Sequence, residues 1–127
     1  MAKLTASNVR AKDAAYDPRH LIDNDRYTYW STDDDVTTAE LVVDFVRDTR
    51  FNVVRLRENV KLGQRVEAFA IDVWANNAWR EVATGTSIGP SRLVRLEAPQ
   101  TTTKLRLRIT KSPVAPALSD LGVFAEP

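Results

Sequence analysis

The chain has 127 residues, 43% of them hydrophobic and 28% charged, which is the size of one ordinary domain with a single core. Eighteen Lys and Arg against 17 Asp and Glu leave a net charge of +1, so the charge balance demands neither nucleic acid nor an anionic membrane. With no Cys and one His, disulfide frameworks, thiolate zinc sites, cysteine nucleophiles and sites needing two imidazoles are excluded. No apolar run reaches the roughly 18 residues of a membrane span, and the Met-Ala-Lys start is compatible with removal of an export signal. Composition alone leans towards a binding or accessory module.

Residues 5–38 are polar, acidic and weakly periodic, which predicts ordered loops. From there on, short alternating runs predict an all-β domain. Leu41, Val43 and Phe45 share one face; Val54 and Leu56 alternate with Arg55 and Arg57. Gly63 marks a bend, and Phe69, Ile71 and Val73 form the next apolar face. Ala75-Asn76-Asn77-Ala78 reads as a hairpin loop, because Asn tolerates the left-handed backbone that tight turns need. Gly85 and Gly89 mark further bends, and Pro99 is expected to break the chain before the strand Leu105-Arg106-Leu107-Arg108-Ile109. Pro113 to Pro116 precede a last short strand at Leu121 to Phe124. There is no internal repeat or linker, so residues 1–127 read as a single domain.

Within Asp23-Asn24-Asp25-Arg26-Tyr27-Thr28, oxygen-bearing side chains fall at n, n+2 and n+5. A tightly wound loop of this spacing can aim Asp23, Asp25 and Thr28 at one Ca²⁺, a hard ion that takes six to eight oxygen ligands. An acidic turn in which Thr28 caps backbone is the alternative on spacing alone.

Asp23-Asn24-Asp25 followed by Thr28-Tyr29-Trp30 resembles the signature of discoidin, or coagulation-factor type-C, domains. Further blocks resemble the C-terminal module of two-domain α-L-fucosidases: Ala6 to Arg10, Tyr27 to Trp30, Phe51 to Glu58, Leu62 to Val66, Gly85 to Gly89 and Leu118 to Phe124. The resemblance implies an antiparallel jelly-roll β-sandwich of about eight strands, of the galactose-binding-domain-like kind. It implies a structural Ca²⁺ held by the side chains of Asp23, Thr28 and Asp120 and by the carbonyls of His20, Asp25 and Ser119. It also implies a non-catalytic, carbohydrate-binding-module-like domain, whose natural parent is extracellular or periplasmic. The blocks at Pro90-Ser91 and Val114-Ala115-Pro116, where such modules often carry Cys, are compatible with an engineered or consensus version.

A sugar site needs an apolar platform and polar groups for hydroxyls. The polar candidates are Arg57, Glu58, Gln64, Arg65 and Arg92, with the Trp30–Asp35 loop, Asp34 included, as one wall. Trp30 itself is expected in the core. Arg65 and Glu58 either contact ligand or form an internal guanidinium–carboxylate pair that shapes the loop. Of Trp74 and Trp79, one is expected to pack inward and the other to serve as a surface platform. The expected ligand is a terminal galactose- or fucose-containing glycan. The alternative is a structural module that packs on a glycosidase catalytic domain. Neither nucleic acid nor membrane is expected as a partner, since the basic footprint and the apolar spikes those need are missing from the sequence.

Overall fold

Alternating side chains become seven strands among the residues described by the computed structural model, which are 2–23 and 28–127, with the backbone alone at residue 60. They are β1 (Lys3–Ala6), β2 (Trp30–Ser31), β3 (Ala39–Glu58), β4 (Ala68–Ala75), β5 (Ala78–Gly85), β6 (Arg92–Lys111) and β7 (Ala117–Phe124). All pairings are antiparallel, in the order β2-β7-β3-β6-β4-β5, with β1 added alongside β3.

Two strands of 20 residues each organise the fold. The first part of β3 pairs with β1 and with Lys104 to Ile109 of β6, which continues through β4 to β5. The last part of β3 pairs with Arg92 to Arg95 of β6 and with β7. The ladder slips between Asp44 and Thr49 and again between Phe51 and Val53, so both strands bend and the sheet closes on itself as a sandwich. Val46 takes a φ of +71° in the first slip, its amide held by the Asp44 carboxylate at 2.8 Å. Pro99 does not break β6 as expected. It falls between Arg95 and Gln100, where the ladder with β3 is out of register and asks no amide of it.

The inward faces of both layers form one core that includes Leu41, Leu56, Phe69, Ile71 and Leu107, all essentially inaccessible to solvent. Full burial of each such side chain contributes about 1.5–3 kcal/mol. Outward, β4 and β6 place Asp72 between Arg106 and Arg108, each within 2.7 Å of its Oδ2. Trp74 and Trp79 also face outward, so the expected inward Trp of this pair is corrected: the core takes neither.

Residues 10–22 wind through three 3-10 turns, and Asp13 and Asp17 cap the second and third by accepting the Ala15 and Arg19 amides at 2.9 Å. Leu21 is fully buried and anchors the third turn, Pro18–Ile22, against β7. Trp30 is in the core as expected, its indole N–H donating to the Asn8 carbonyl at 3.0 Å.

Candidate functional site

Strand β3 ends on Glu58, and this residue shapes one end of the sandwich. Its side chain is 1% exposed, yet every oxygen is used: Oε1 accepts the Arg65 and Val66 amides and Oε2 the Gly89 amide, each at 2.8 Å. Such charge-assisted bonds offset the cost of burying the carboxylate. Glu58 is thereby corrected from sugar contact to loop clamp. The expected internal bond to Arg65 exists, but through the Arg65 backbone rather than its guanidinium.

The clamp leaves a small cavity of about 180 Å³ lined by Glu58, Gly63, Gln64, Gly89 and Pro90. Gly63 and Gly89 sit at φ +87° and +70°, a region that penalises side chains, so both bends require glycine. Gln64 reaches towards Gly89, and Arg57 Nε donates to the Pro90 carbonyl at 3.1 Å to brace the rim. Arg92 is placed differently from expectation. Its guanidinium donates to the Ser87 carbonyl at 2.6 Å and lies over the Phe69 ring, and it is not among the cavity's lining residues.

Arg65 holds two loops together. Nη1 donates to the Ala115 carbonyl at 2.7 Å, and Nε lies 3.4 Å from the Leu62 carbonyl. Leu62 and Val114, 39% and 45% exposed, project from these same loops. Tyr29 lies near enough to feel the Arg65 charge; burial and the adjoining Tyr16 nonetheless push its hydroxyl pKa up. The Tyr16 and Tyr29 rings meet edge to face at 5.5 Å, and Arg10 caps Tyr16 while pairing with Asp34 at 2.6 Å. Asp34 thus belongs to the Arg10–Tyr16 corner and not to the cavity wall. Tyr16, Tyr29, Leu62 and Val114 are not among the site residues expected from sequence: the first two lie in the aperiodic stretch and the others are isolated aliphatics between bends.

The oxygen-rich corner is partly assembled. Asp23 Oδ2 accepts the Thr28 hydroxyl at 2.6 Å and lies 3.0 Å from His20 Nδ1, whose Nε2 is 2.9 Å from the Ala14 carbonyl. Asp25 lies outside the described residues. The turn carrying Asp23 packs on β7, the strand of Ser119 and Asp120. Ser119 is the extra residue at the register shift opposite Glu58, its hydroxyl 3.4 Å from the Glu58 carbonyl. Asp120 is taken by Arg55, at 2.5 Å from Nε and 3.3 Å from Nη2. Among the described residues no group of three or more His, Cys, Asp or Glu forms a metal centre. Asp23 and Thr28 thus converge as an oxygen pair joined by a hydrogen bond, and to ligate a cation beside them Asp120 would have to exchange or share its guanidinium partner.

Residues 3–119 match the F5/8 type C domain. The chain belongs to that family. It is 29% identical to a putative α-L-fucosidase 1 of Oryza sativa subsp. japonica, over 98% of this chain and 24% of that protein. In structure it resembles a putative α-L-fucosidase from Bacteroides thetaiotaomicron, with a TM-score of 0.91 and 27% identity over 98% of this chain and 28% of that one. A chitosan-binding module from a Paenibacillus chitosanase/glucanase shares the fold alone, at a TM-score of 0.83 and 19% identity over 97% of this chain and 93% of the module. The chain spans about a quarter of the length of the curated relatives it matches. What it matches in them is the small type C domain and not the catalytic domain, so this F5/8 type C domain corresponds to their accessory part.

Proposed function

We propose that this F5/8 type C domain is a non-catalytic carbohydrate-binding module that recognises a terminal galactose- or fucose-bearing glycan. The observation that carries the reading is the end of the sandwich where Arg65 lies between exposed Leu62 and Val114, near Tyr29, beside the cavity held open by Glu58. Aliphatic and tyrosyl surface suits the apolar face of a pyranose, and Arg57, Gln64 and Arg65 suit its hydroxyls. Family membership supports it, as does the likeness to a fucosidase from Ruminococcus gnavus solved with fucose, at 28% identity. A shallow site of this size binds weakly, about −4 to −6 kcal/mol, or millimolar to high micromolar.

An NMR titration with galactose, fucose and a fucosylated oligosaccharide tests the reading. Shifts confined to residues 57–65, 88–92 and 113–116 are expected, and Arg65→Ala should abolish them with the fold intact. Unchanged affinity in Arg65→Ala, or silence at about 10 mM sugar, would overturn it.

Ca²⁺ completes the proposal as a structural ion that would tie the Pro18–Ile22 turn to β7. Asp23 and Thr28 would hold it by their side chains, with carbonyls of His20, Asp25 and Ser119, and with Asp120 if it leaves Arg55. The setting proposed for a natural parent is extracellular or periplasmic.

A second reading has a specific observation of its own. Leu93 and Phe124, 51% and 41% exposed, flank Arg55 on the outward face of β6, β3 and β7. In a longer protein like the fucosidases that face suits packing on a catalytic domain. Loss of stability of such an enzyme on Phe124→Asp, with sugar binding by the module unchanged, would favour it.

A further inference from the structure

The β4–β5 hairpin carries a second arrangement that the loop-end site does not use. Trp74 and Trp79 are ladder partners beside the turn, and their rings meet edge to face at 5.2 Å and 72°. Both are half-buried on the outward face rather than in the core. Two cations crown them. Lys104 Nζ lies 5.4 Å from the centre of Trp74, and the Arg106 guanidinium lies 4.7 Å from that of Trp79. Arg106 is fixed there by Asp72, and the Trp74 carbonyl is fixed by the Thr102 hydroxyl at 2.7 Å.

The two cations differ in one respect. Arg106 already has a carboxylate, whereas among the described residues Lys104 forms no ion pair. Asp44, its neighbour across the ladder, uses its carboxylate on the Val46 amide instead. Just beyond the rings, Asn76 and Asn77 occupy the turn and are exposed. An indole pair, an ammonium without a carboxylate and two exposed amides therefore share one surface.

We propose that this hairpin face is a second saccharide site, selective for an acidic pyranose such as a uronate within a linear glycan. The C–H face of the ring stacks on indole, the carboxylate meets Lys104, and the Asn76 and Asn77 amides face the hydroxyls. Cross-strand packing explains why the two indoles touch. A cation–π contact explains why the ammonium lies over Trp74; what remains is a positive charge with no carboxylate beside exposed indole, which an acidic ligand complements. The site lies on the opposite layer from the Glu58 cavity, so the proposal goes beyond the loop-end reading and stands or falls separately from it. Two sites on one rigid body would also let a single glycan chain engage both, raising avidity without new contacts.

The test is a titration of the whole chain with a galacturonate hexamer and with its fully methyl-esterified counterpart, following the three indole N–H signals by NMR. The acidic oligomer should shift Trp74 and Trp79 and leave Trp30 in place, with about tenfold weaker binding of the ester. Lys104→Gln should bring the two oligomers to within about twofold of each other, and Arg65→Ala should leave this site untouched. Trp79→Ala should abolish binding, and Trp79→Phe, which keeps an aromatic ring in the hairpin, should weaken it while the remaining spectrum stays folded. The proposal is overturned by equal binding of acid and ester, by an acid preference that survives Lys104→Gln, or by shifts confined to residues 57–65. An oligothymidylate that shifts the same indoles more strongly than the hexamer would overturn it as well, since stacking on indole with cations nearby is equally the chemistry of single-stranded nucleic acid.

Discussion

Glu58 and Gly89 are joined twice: the Gly89 amide donates to the Glu58 carboxylate at 2.8 Å, and the Glu58 amide donates to the Gly89 carbonyl at 2.8 Å. The first bond is made by a side chain and the second by backbone, so one residue at the end of β3 fixes a loop that is distant in sequence. Its other oxygen fixes Arg65 and Val66.

Glu58→Gln keeps the shape but replaces an acceptor oxygen with a donor, leaving buried amides facing one another. Urea unfolding should show a loss of about 3 kcal/mol. The sugar-induced shifts at residues 57–65 should fall as well, because the cavity is no longer held open. A variant with unchanged stability would show that the clamp is not what shapes this end.

Asp72 makes stability depend on acid. Burial alone would push its carboxyl pKa up, but hydrogen bonds from Arg108 and Arg106 outweigh burial and hold it below the usual aspartate value. The stabilisation is therefore complete above the unfolded aspartate pKa, about 3.9, and is lost as pH falls through the lower folded value. Asp72→Asn should flatten the acid limb of a plot of Tm against pH and reduce stability at pH 7 by about 3 kcal/mol. An acid limb identical to that of the parent chain would contradict this.

Chelation tests the proposed ion against the Asp23–Thr28 hydrogen bond alone. If Ca²⁺ is bound as proposed, EDTA should lower Tm, and Asp23→Ala should reproduce the effect and abolish further response to the chelator. Arg55→Ala then bears on Asp120: releasing its carboxylate should strengthen Ca²⁺ binding if Asp120 is a ligand. A Tm indifferent to EDTA would remove the ion from the account.

The hairpin at Asn76 and Asn77, with φ of +52° and +60°, stores a little strain that glycine relieves. Asn77→Gly should raise stability by about 0.5 kcal/mol, and Asn77→Ala should lower it by about 1 kcal/mol. Thermal unfolding of the pair of variants reads both signs.

Much of the sandwich was legible because each strand has one buried face. Alternation around Leu41, Ile71 and Leu107 needs no tertiary knowledge, and the paired Asn at 76 and 77 announce their turn chemically. Pro99 misled because a ladder slip is a property of two strands together, invisible in either one. The Glu58–Arg65 relationship was readable as a pairing but not as atoms, since the bond uses Arg65's backbone. The pairing of Tyr16 with Tyr29 gave no signal, although Tyr29 stands within a resembling block: the two rings meet only because 3-10 turns fold the aperiodic stretch onto the sandwich. Asp120 could be matched to a calcium role but not to Arg55, because that contact depends on the register shift that leaves Ser119 unpaired.

The two bent strands carry a consequence for how the molecule melts. Since β3 and β6 each belong to both layers, neither layer possesses a complete set of strands of its own. Pulling one layer away means unzipping the spine of the other, so no half of the domain is available as a partly folded intermediate of independent stability. The pairings along that spine, such as Ala39 with Ile109, join distant parts of the chain. Refolding should therefore be a single slow event, on the millisecond-to-second scale of high-contact-order β domains. Hydrogen exchange should then find the central amides of β3 and β6 opening together, at the free energy of global unfolding.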